Sequence, residues 1–274
     1  MFVLGCHRSG TSLLAGIISD SLQLSEQNDL LTAQVDNPGG FFESKNLVDM
    51  NEHLLQTIGI DWQHPPLHPI NWTINDLLPS FHQSRNKFQR QALSFNWVDK
   101  DPRLCLTYSA FNHILLKRIP IAGIIRHPYE VANSLYKRDM IPYAKGLIIW
   151  FLYNQHLSRH ISEEDSLFCY EQLISSSDNP SELLCDFLIS CNPNGQFNKE
   201  KITVNIQTKA IKGWQRSNKY LDSSIHPQIE WEKIGKNCLS LYNEILQSKS
   251  SISIFKKVFS FTPDHILCSC SVLG

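Results

Sequence analysis

The chain has 274 residues, a formal net charge of −1, 42% hydrophobic residues and 19% charged residues. This composition is typical of a globular protein, and the length suffices for one large α/β domain or two small ones. A nearly neutral chain has no overall field that attracts nucleic acid, and no apolar run approaches the ~20 residues of a bilayer span. We therefore expect neither a nucleic-acid partner nor a membrane span.

The eight cysteines lack the paired spacing that is typical of metal sites. Cys268 and Cys270 form a lone C-x-C, which is too little for a zinc site. We interpret the cysteines as reduced and structural, which favours a cytoplasmic protein. The chain opens on "MFVLG", which resembles a core strand rather than a secretory leader, so a natural start upstream of Met1 is also expected.

Short apolar runs alternate with helical patterns along the first part of the chain, which predicts a parallel sheet with crossover helices. The predicted strands are 2–5, 95–100, 119–126 and 166–170, and the predicted helices after the first three are 11–22, 104–118 and 128–138. The run 119–126 is the most apolar, as expected for a central strand buried on both faces. The predicted fold class is α/β, a P-loop-like three-layer sandwich with a central parallel sheet.

Other stretches are less regular. Residues 60–72 contain three prolines and two tryptophans, which predicts a loop lying over the site. Residues 192–221 are polar without a clear period and predict a mobile loop, whereas 227–248 predicts an amphipathic helix. No repeat or linker divides the chain, so we expect one domain over 1–274, with a core of about 1–190 and a loop and C-terminal helical region of about 191–274.

The segment "GCHRSGTS" lies between the first predicted strand and helix. Gly5 and Gly10 have the spacing of a phosphate-binding loop, but Thr11 occupies the place of its lysine, and the nearest cation is Arg8. Free amides and the helix dipole at such a position favour an anion, which the hydroxyls of Thr11 and Ser12 can also bind. The alternative is that the glycines only form a turn and the hydroxyls only cap the helix.

A second group of polar residues follows the most apolar strand. A nucleoside triphosphate site commonly has a magnesium-binding Asp at such a strand end, but this strand ends in Arg126. Ser134 and Arg138 are four residues apart on one helical face, so the three side chains can surround a terminal phosphate. The alternative is an ordinary amphipathic helix with a solvated Ser and Arg. Loss of both the loop lysine and the aspartate argues against a kinase or ATPase.

These two motifs resemble those of the sulfotransferase family. "FVLGCHRSGTSLL" is similar to the family's 5′-phosphosulfate loop, and "IIRHPYEVANSLYKR" is similar to its 3′-phosphate motif. "KDPR" (100–103) and "YEQL" (170–173) resemble elements of the bacterial and tyrosylprotein sulfotransferases. The resemblance covers roughly residues 2 to 190, with the four motifs in the family's order.

The resemblance implies a donor, 3′-phosphoadenylyl sulfate, that is bound without metal and leaves as adenosine 3′,5′-bisphosphate. The acceptor would be a hydroxyl of a carbohydrate, lipid, small molecule or peptide, chosen by loops such as 60–95 and 192–221. The implied donor-binding residues are Arg8 at the sulfonate, Ser9, Gly10, Thr11 and Ser12 at the 5′-phosphate, Arg126, Ser134 and Arg138 at the 3′-phosphate, and Tyr170 near the adenine. Tyr170 has the alternative role of a core aromatic residue.

The residue that takes the acceptor proton is less clearly indicated. Pro102 stands where the small-molecule branch has its histidine, so the chain departs from that branch. The tyrosylprotein branch uses a Glu after the first helix together with the K-D-P lysine, which implies Glu43 as base and Lys100 as its partner. Glu43 has an equally weighted alternative role as the cap of a helix that begins near Ser44.

Several other polar residues are weaker candidates. His7 lies inside the loop, and Asp101 is expected to orient Lys100 or Arg103. His64 and His68 belong to the proline-rich loop and have either an acceptor-pocket or a surface role. Two further functional alternatives stay open, namely a P-loop kinase of small molecules and a homologue that binds the nucleotide without turnover.

Overall fold

The structure, a computed structural model, describes residues 1–24, 30–31, 42–73, 97–115, 118–175, 180–218, 232–249, 251–264 and 266, with the backbone alone for 210–218 and 232. Its described strands are β1 (Phe2–Leu4), β2 (Asp99–Lys100), β3 (Ile121–Ile125) and β4 (Ser166–Cys169). All are parallel, in the order β2-β1-β3-β4. The predicted α/β class with a central parallel sheet is confirmed. Residues 95–96 of the second predicted strand lie outside the described part of the chain.

Helices connect and follow these strands. They are α1 (Thr11–Ser21), α2 (Lys45–Thr57), α3 (Leu104–Leu115), α4 (Pro128–Asp139), α5 (Tyr143–His160), α6 (Tyr170–Ile174), α7 (Pro180–Cys191), α8 (Lys199–Asn218), α9 (Glu232–Gln247) and α10 (Ile252–Val258). Among the described residues, none of these helices combines the length and the apolarity that crossing a membrane requires.

The sheet is buried on both faces, which explains why its strands are apolar without alternation. Phe2 and Leu4 of β1 pack in one core cluster together with residues of α2 to α5, α9 and α10. Val3 faces the opposite side and packs with residues of α1, α7 and α8. Because successive strand residues point to opposite faces, the molecule has three layers of helices, sheet and helices.

The helices after β1 and β3 leave the sheet on opposite sides. Leu14 of α1 packs in one core cluster, and Val131 of α4 packs in the other. Since β1 and β3 are neighbours in the sheet, a crevice opens between their carboxyl ends. Ligands of open α/β sheets bind in a crevice of this kind. The fold thus brings the ends of both sequence motifs to one place.

The prediction of a mobile loop over 192–221 was wrong for most of that segment. The helix α8 spans Lys199–Asn218, and residues 219–221 lie outside the described part of the chain. Ile202 and Ile206 are both buried in one core cluster, four residues apart on one helical face. These two residues pack the first part of the helix against that cluster, and the polar residues around them give the sequence no clear period.

The helix α5 was not predicted, because it is buried almost throughout, whereas few of the described residues of α8 are buried. Every residue from Gly146 to Ser158 is buried, so the segment has no polar face and no helical period in its hydrophobicity. The predicted C-terminal helix is present as α9, and residues 227–231 of that prediction lie outside the described residues.

Candidate active site

The loop after β1 has a tight backbone that requires its glycines. A Cβ atom on Gly5 would lie 2.5 Å from the carbonyl oxygen of Ile124, and Gly10 has φ 93°, in the left-handed region. A Cβ on Gly10 would also overlap the ring of Tyr170. Arg8 has φ 67°, which is uncommon for a residue with a side chain. The loop therefore holds Arg8 in a strained, defined position at the start of α1.

Arg8 joins the two sequence motifs. Its Nε donates a hydrogen bond to Ser134 Oγ of α4 over 2.8 Å. Its carbonyl oxygen accepts a hydrogen bond from Arg126 at the end of β3 over 3.1 Å. Residues that are more than a hundred positions apart in the chain thus meet in the crevice between β1 and β3.

Arg126 is held on several sides. Its guanidinium carbon lies 4.4 Å from the centroid of the Tyr170 ring, and one amino group lies 3.3 Å from Glu130 Oε2. Its carbonyl oxygen accepts a hydrogen bond from Trp150 Nε1 over 2.8 Å. Tyr170 is therefore a buried residue that contacts both Gly10, in the loop after β1, and Arg126. Burial agrees with the role of core aromatic residue, and the role of Tyr170 beside the adenine stays a prediction.

Arg138 stands one turn after Ser134 but makes different contacts. Its Nε pairs with Asp139 over 2.7 Å, and its guanidinium lies 5.7 Å from the centroid of the Trp62 ring. The arginine therefore faces the proline-rich loop. Sequence reasoning missed Trp62, because an aromatic residue in an irregular loop carries no period that would place it.

Glu43 and Lys100 form an ion pair in which the two side chains are almost fully buried. Burial raises the pKa of Glu43, and the positive charge of Lys100 partly offsets this rise. The helix cap is Ser44, whose hydroxyl accepts a hydrogen bond from the Leu47 amide over 3.3 Å. The alternative role of Glu43 as the cap is therefore wrong.

A carboxylate behind this pair fixes its geometry. Asp99 Oδ1 accepts hydrogen bonds from the amide of Ser44 over 3.1 Å and the amide of Lys100 over 2.8 Å. Its Oδ2 accepts from the hydroxyl of Ser44 over 2.6 Å. Because these amides flank Glu43 and Lys100, Asp99 ties the two backbone segments together. Burial raises the pKa of Asp99 to about 6.

Asp101 orients Arg103, one of the two roles that the sequence suggested for it. It accepts hydrogen bonds from the Arg103 amide over 2.9 Å and from its guanidinium over 3.0 Å, and from Asn51 over 3.0 Å. Arg103 also pairs with Glu52 at the surface over 2.9 Å. The carboxylate of Asp101 is thus occupied by its own neighbours.

His7 lies at the centre of an electropositive, aromatic environment. Its ring centroid is 4.3 Å from that of Trp62 and 5.3 Å from that of Tyr153. Burial lowers the pKa of His7 well below its usual range, and four nearby cations lower it further, namely Arg103, Arg138, Lys100 and Arg8. The imidazole is therefore neutral at physiological pH. Its Nε2 is buried and has no hydrogen-bond partner among the described residues.

The proline-rich loop is fixed over this site by α5. Tyr153 donates a hydrogen bond to the carbonyl oxygen of Trp62 over 3.0 Å, and His156 Nε2 lies 2.7 Å from that of Pro66. His64 bridges Asp61 and Lys145 at the surface, whereas His68 is exposed. Trp62 packs on His7, so the loop lies over the segment that follows β1. The function of that segment stays a prediction.

We expect two histidines of α5, the buried His156 and the partly buried His160, to make the protein sensitive to acid. Burial lowers the pKa of both His156 and His160 to about 4, while an unfolded histidine titrates near pH 6.5. The unfolded chain therefore binds more protons between these values, and the free energy of unfolding falls as the pH is lowered from about 6.5 to about 4. Each histidine contributes about 3 kcal/mol to this loss.

Urea denaturation at a series of pH values checks this expectation. His156→Gln keeps a donor for the Pro66 carbonyl oxygen and should reduce the slope of the free energy of unfolding against pH. His113→Gln, at an exposed position, should leave that slope unchanged. Parallel curves of the free energy of unfolding against pH for wild type and His156→Gln would contradict the role of His156 in the acid sensitivity.

The donor that the resemblance implies fits two features of the loop. Ser9 Oγ is buried and has no hydrogen-bond partner in the described part of the chain, a state that costs about 1–3 kcal/mol unless a ligand satisfies it. The amides at the start of α1 and the Arg8 side chain belong to the same loop, and donors of these kinds suit a phosphate or sulfonate oxygen.

Comparison with known proteins gives two solved structures. A sulfotransferase domain from the Synechococcus PCC 7002 olefin synthase is 20% identical, with a TM-score of 0.47, covering 88% of this chain and 93% of that one. A sulfotransferase domain from the curacin biosynthetic pathway is 15% identical, with a TM-score of 0.45, covering 88% and 96% of the two chains. No family model and no curated protein matches the sequence.

Proposed function

We propose that this protein is a sulfotransferase that moves a sulfuryl group from 3′-phosphoadenylyl sulfate to a hydroxyl acceptor. The observation that carries the proposal is the meeting of Arg8, Ser134 and Arg126 at one crevice. This set binds anions through arginines, a hydroxyl and loop amides, at a loop that lacks the lysine of triphosphate enzymes.

In this proposal the two ends of the donor have separate subsites. Arg126, Ser134 and Arg138 bind the 3′-phosphate, and Tyr170 lies beside the adenine. Ser9 binds the 5′-phosphate with its hydroxyl, because its amide donates to the Cys6 carbonyl oxygen over 3.1 Å. Gly10, Thr11 and Ser12 bind it with their amides and, for the last two, hydroxyls, and Arg8 contacts the sulfonate. Arg8 hydrogen bonds to Ser134 in the described structure, so it stands between the two subsites.

In this proposal the buried ion pair of Glu43 and Lys100 acts on the acceptor hydroxyl. Glu43 accepts the proton of the acceptor hydroxyl as the new S–O bond forms and the bond to the 5′-phosphate breaks. Lys100 keeps Glu43 ionised by its positive charge and, with Arg8, stabilises the negative charge that develops on the departing phosphate. Neutral His7, whose Nε2 has no partner among the described residues, is left as the second candidate for contact with the acceptor.

Calorimetry with adenosine 3′,5′-bisphosphate, adenosine 5′-phosphate and ATP in the presence of EDTA tests the proposal. A charge-assisted clamp is worth about 1.5–3 kcal/mol, so the bisphosphate should bind about 10- to 100-fold more tightly than the monophosphate. Equal affinities would contradict the clamp. Tighter binding of ATP that depends on Mg²⁺ would instead support a small-molecule kinase.

Catalysis needs a second measurement. Sulfuryl transfer from the donor to a panel of phenols, sugars and alcohols should proceed in excess EDTA. Selective binding of the bisphosphate without transfer to any acceptor would favour the non-catalytic homologue. The single-domain organisation over 1–274 and a cytoplasmic location stay predictions.

A further inference from the structure

Glu171 connects three separate parts of the chain. Its Oε1 accepts a hydrogen bond from the backbone amide of His127 over 3.0 Å, and its Oε2 accepts one from the hydroxyl of Tyr242. His127 directly follows Arg126, and Tyr242 belongs to α9. One carboxylate therefore ties the end of β3 and the start of α4 to the C-terminal helix.

This carboxylate supplies what the start of α4 lacks. His127 is the residue before the first helical turn and its side chain makes no capping hydrogen bond, and Pro128 has no amide hydrogen to donate. A negative charge at a helix start is favourable because of the free amides and the helix dipole. Glu171 thus acts as a cap supplied from a different helix, next to the arginine of the proposed clamp.

Two consecutive residues of α6 contact two consecutive residues at the end of β3. Tyr170 stacks on the guanidinium of Arg126 at 4.4 Å, and Glu171 holds the next amide along the chain. The side chain and the backbone of this strand end are therefore fixed by one short element. How well α6 fixes the strand end depends in turn on the group that fixes the carboxylate of Glu171.

Tyr242 is placed to hold it. The residue is 2% exposed, and its ring lies 5.4 Å from that of His127 in an edge-on contact. The helix α9 packs closely there, because a Cβ atom on Gly235 would overlap the ring of Tyr129 in α4. Such a buried hydroxyl has little freedom to choose another acceptor than Glu171.

We propose that Tyr242 and Glu171 are positioning residues for the 3′-phosphate clamp, acting through the His127 amide on Arg126. The proposal rests on the proposed function and extends the site to α9, beyond the part of the chain that the sequence resemblance covers. Without the Tyr242 hydroxyl the Glu171 carboxylate loses a donor that fixes its rotamer, so Arg126 is held less well at the 3′-phosphate. The 5′-phosphate loop makes no contact with Tyr242 in the described structure and keeps its affinity.

The variant Tyr242→Phe tests this, because it removes the hydroxyl and keeps the ring packed against His127. Calorimetry should show affinity for adenosine 3′,5′-bisphosphate reduced by about three- to tenfold and affinity for adenosine 5′-phosphate unchanged. Tyr108→Phe is the matched control, since the buried Tyr108 hydroxyl also makes one hydrogen bond, to the Ile119 carbonyl oxygen in the core. The control should lower the melting temperature and leave the ratio of the two affinities as in wild type.

The outcomes distinguish a failure of the proposed function from a failure of the positioning role alone. A wild-type protein without preference for the bisphosphate overturns the proposed function and the positioning role with it. A selective wild type whose ratio is unchanged in Tyr242→Phe overturns the positioning role alone. If Tyr242→Phe does not fold, Glu171→Gln replaces it, and an unchanged ratio in that variant overturns the proposal in the same way.

Discussion

Replacement of Glu43 by glutamine is expected to lower turnover by about 10²–10⁴-fold, the usual share of a general base, while affinity for the nucleotide stays nearly intact. Glutamine keeps the shape of the side chain and an oxygen that can accept from Lys100, but it cannot take up a proton. Because the variant leaves the buried charge of Lys100 without its charged partner, it should also lose about 3–5 kcal/mol of stability. Rates are therefore compared at a temperature where both proteins are folded, with the acceptor that wild type uses best.

The matched control is Glu52→Gln. Glu52 pairs with Arg103 close to the same site, but its side chain is half exposed, so its loss should change neither the rate nor the stability much. A folded Glu43→Gln protein with wild-type turnover would contradict the assignment and direct attention to His7.

The pH dependence gives an independent check on Glu43. A general base is active when ionised, so kcat/KM of wild type should fall as the pH is lowered through the pKa of Glu43, which burial raises above its ordinary value. The acidic limb should be absent in Glu43→Gln. Persistence of the same limb in the variant would assign it to another group.

Replacement of Arg126 by alanine is expected to weaken binding of adenosine 3′,5′-bisphosphate by about 10- to 100-fold, because one charge-assisted hydrogen-bonding group is lost. Affinity for adenosine 5′-phosphate should fall much less, since that ligand lacks the 3′-phosphate. Calorimetry on both ligands measures the difference directly.

Arg126→Lys is the informative companion variant. Lysine keeps the charge but lacks the planar fork, so it cannot stack on Tyr170 and donate to Arg8 at the same time. We expect an affinity between those of wild type and Arg126→Ala. Equal losses for both ligands in Arg126→Ala would mean that the arginine supports the loop rather than the 3′-phosphate.

The sequence predicted those parts of the site that lie next to regular elements. Gly5, Gly10 and Arg126 are recognisable because each directly follows an apolar strand or precedes a helix, and parallel strands place their carboxyl ends at one edge. The pattern could not decide between the two roles of Glu43. The structure excludes the cap role, because Ser44 caps the helix, and it shows the partner Lys100, which is 57 positions away in the chain. The role of Glu43 as base stays a prediction.

Other contacts left no trace in the sequence pattern. Trp62 reaches His7 from an irregular loop, and Tyr242 reaches Glu171 from a helix whose apolar face predicts burial but not a hydrogen bond. The helix α5 is buried on all sides and therefore lacks the period by which amphipathic helices are found. These failures share one cause, since hydrophobic periodicity reports which face is buried and not which polar atoms meet.

The hydrogen bond from Arg126 to the carbonyl oxygen of Arg8 has a consequence for how energies combine at this site. Two groups that share a contact do not contribute independently, so the effects of substituting Arg126 and a residue of the loop should not add. A double-mutant cycle between Arg126 and Arg8, the loop residue that it contacts, would then give a coupling energy well above the few tenths of a kcal/mol that is usual for separate sites. Under the proposed function, the subsites for the two ends of the donor would then act as one cooperative unit, and a ligand that carries both anions would gain more affinity than the sum of its halves.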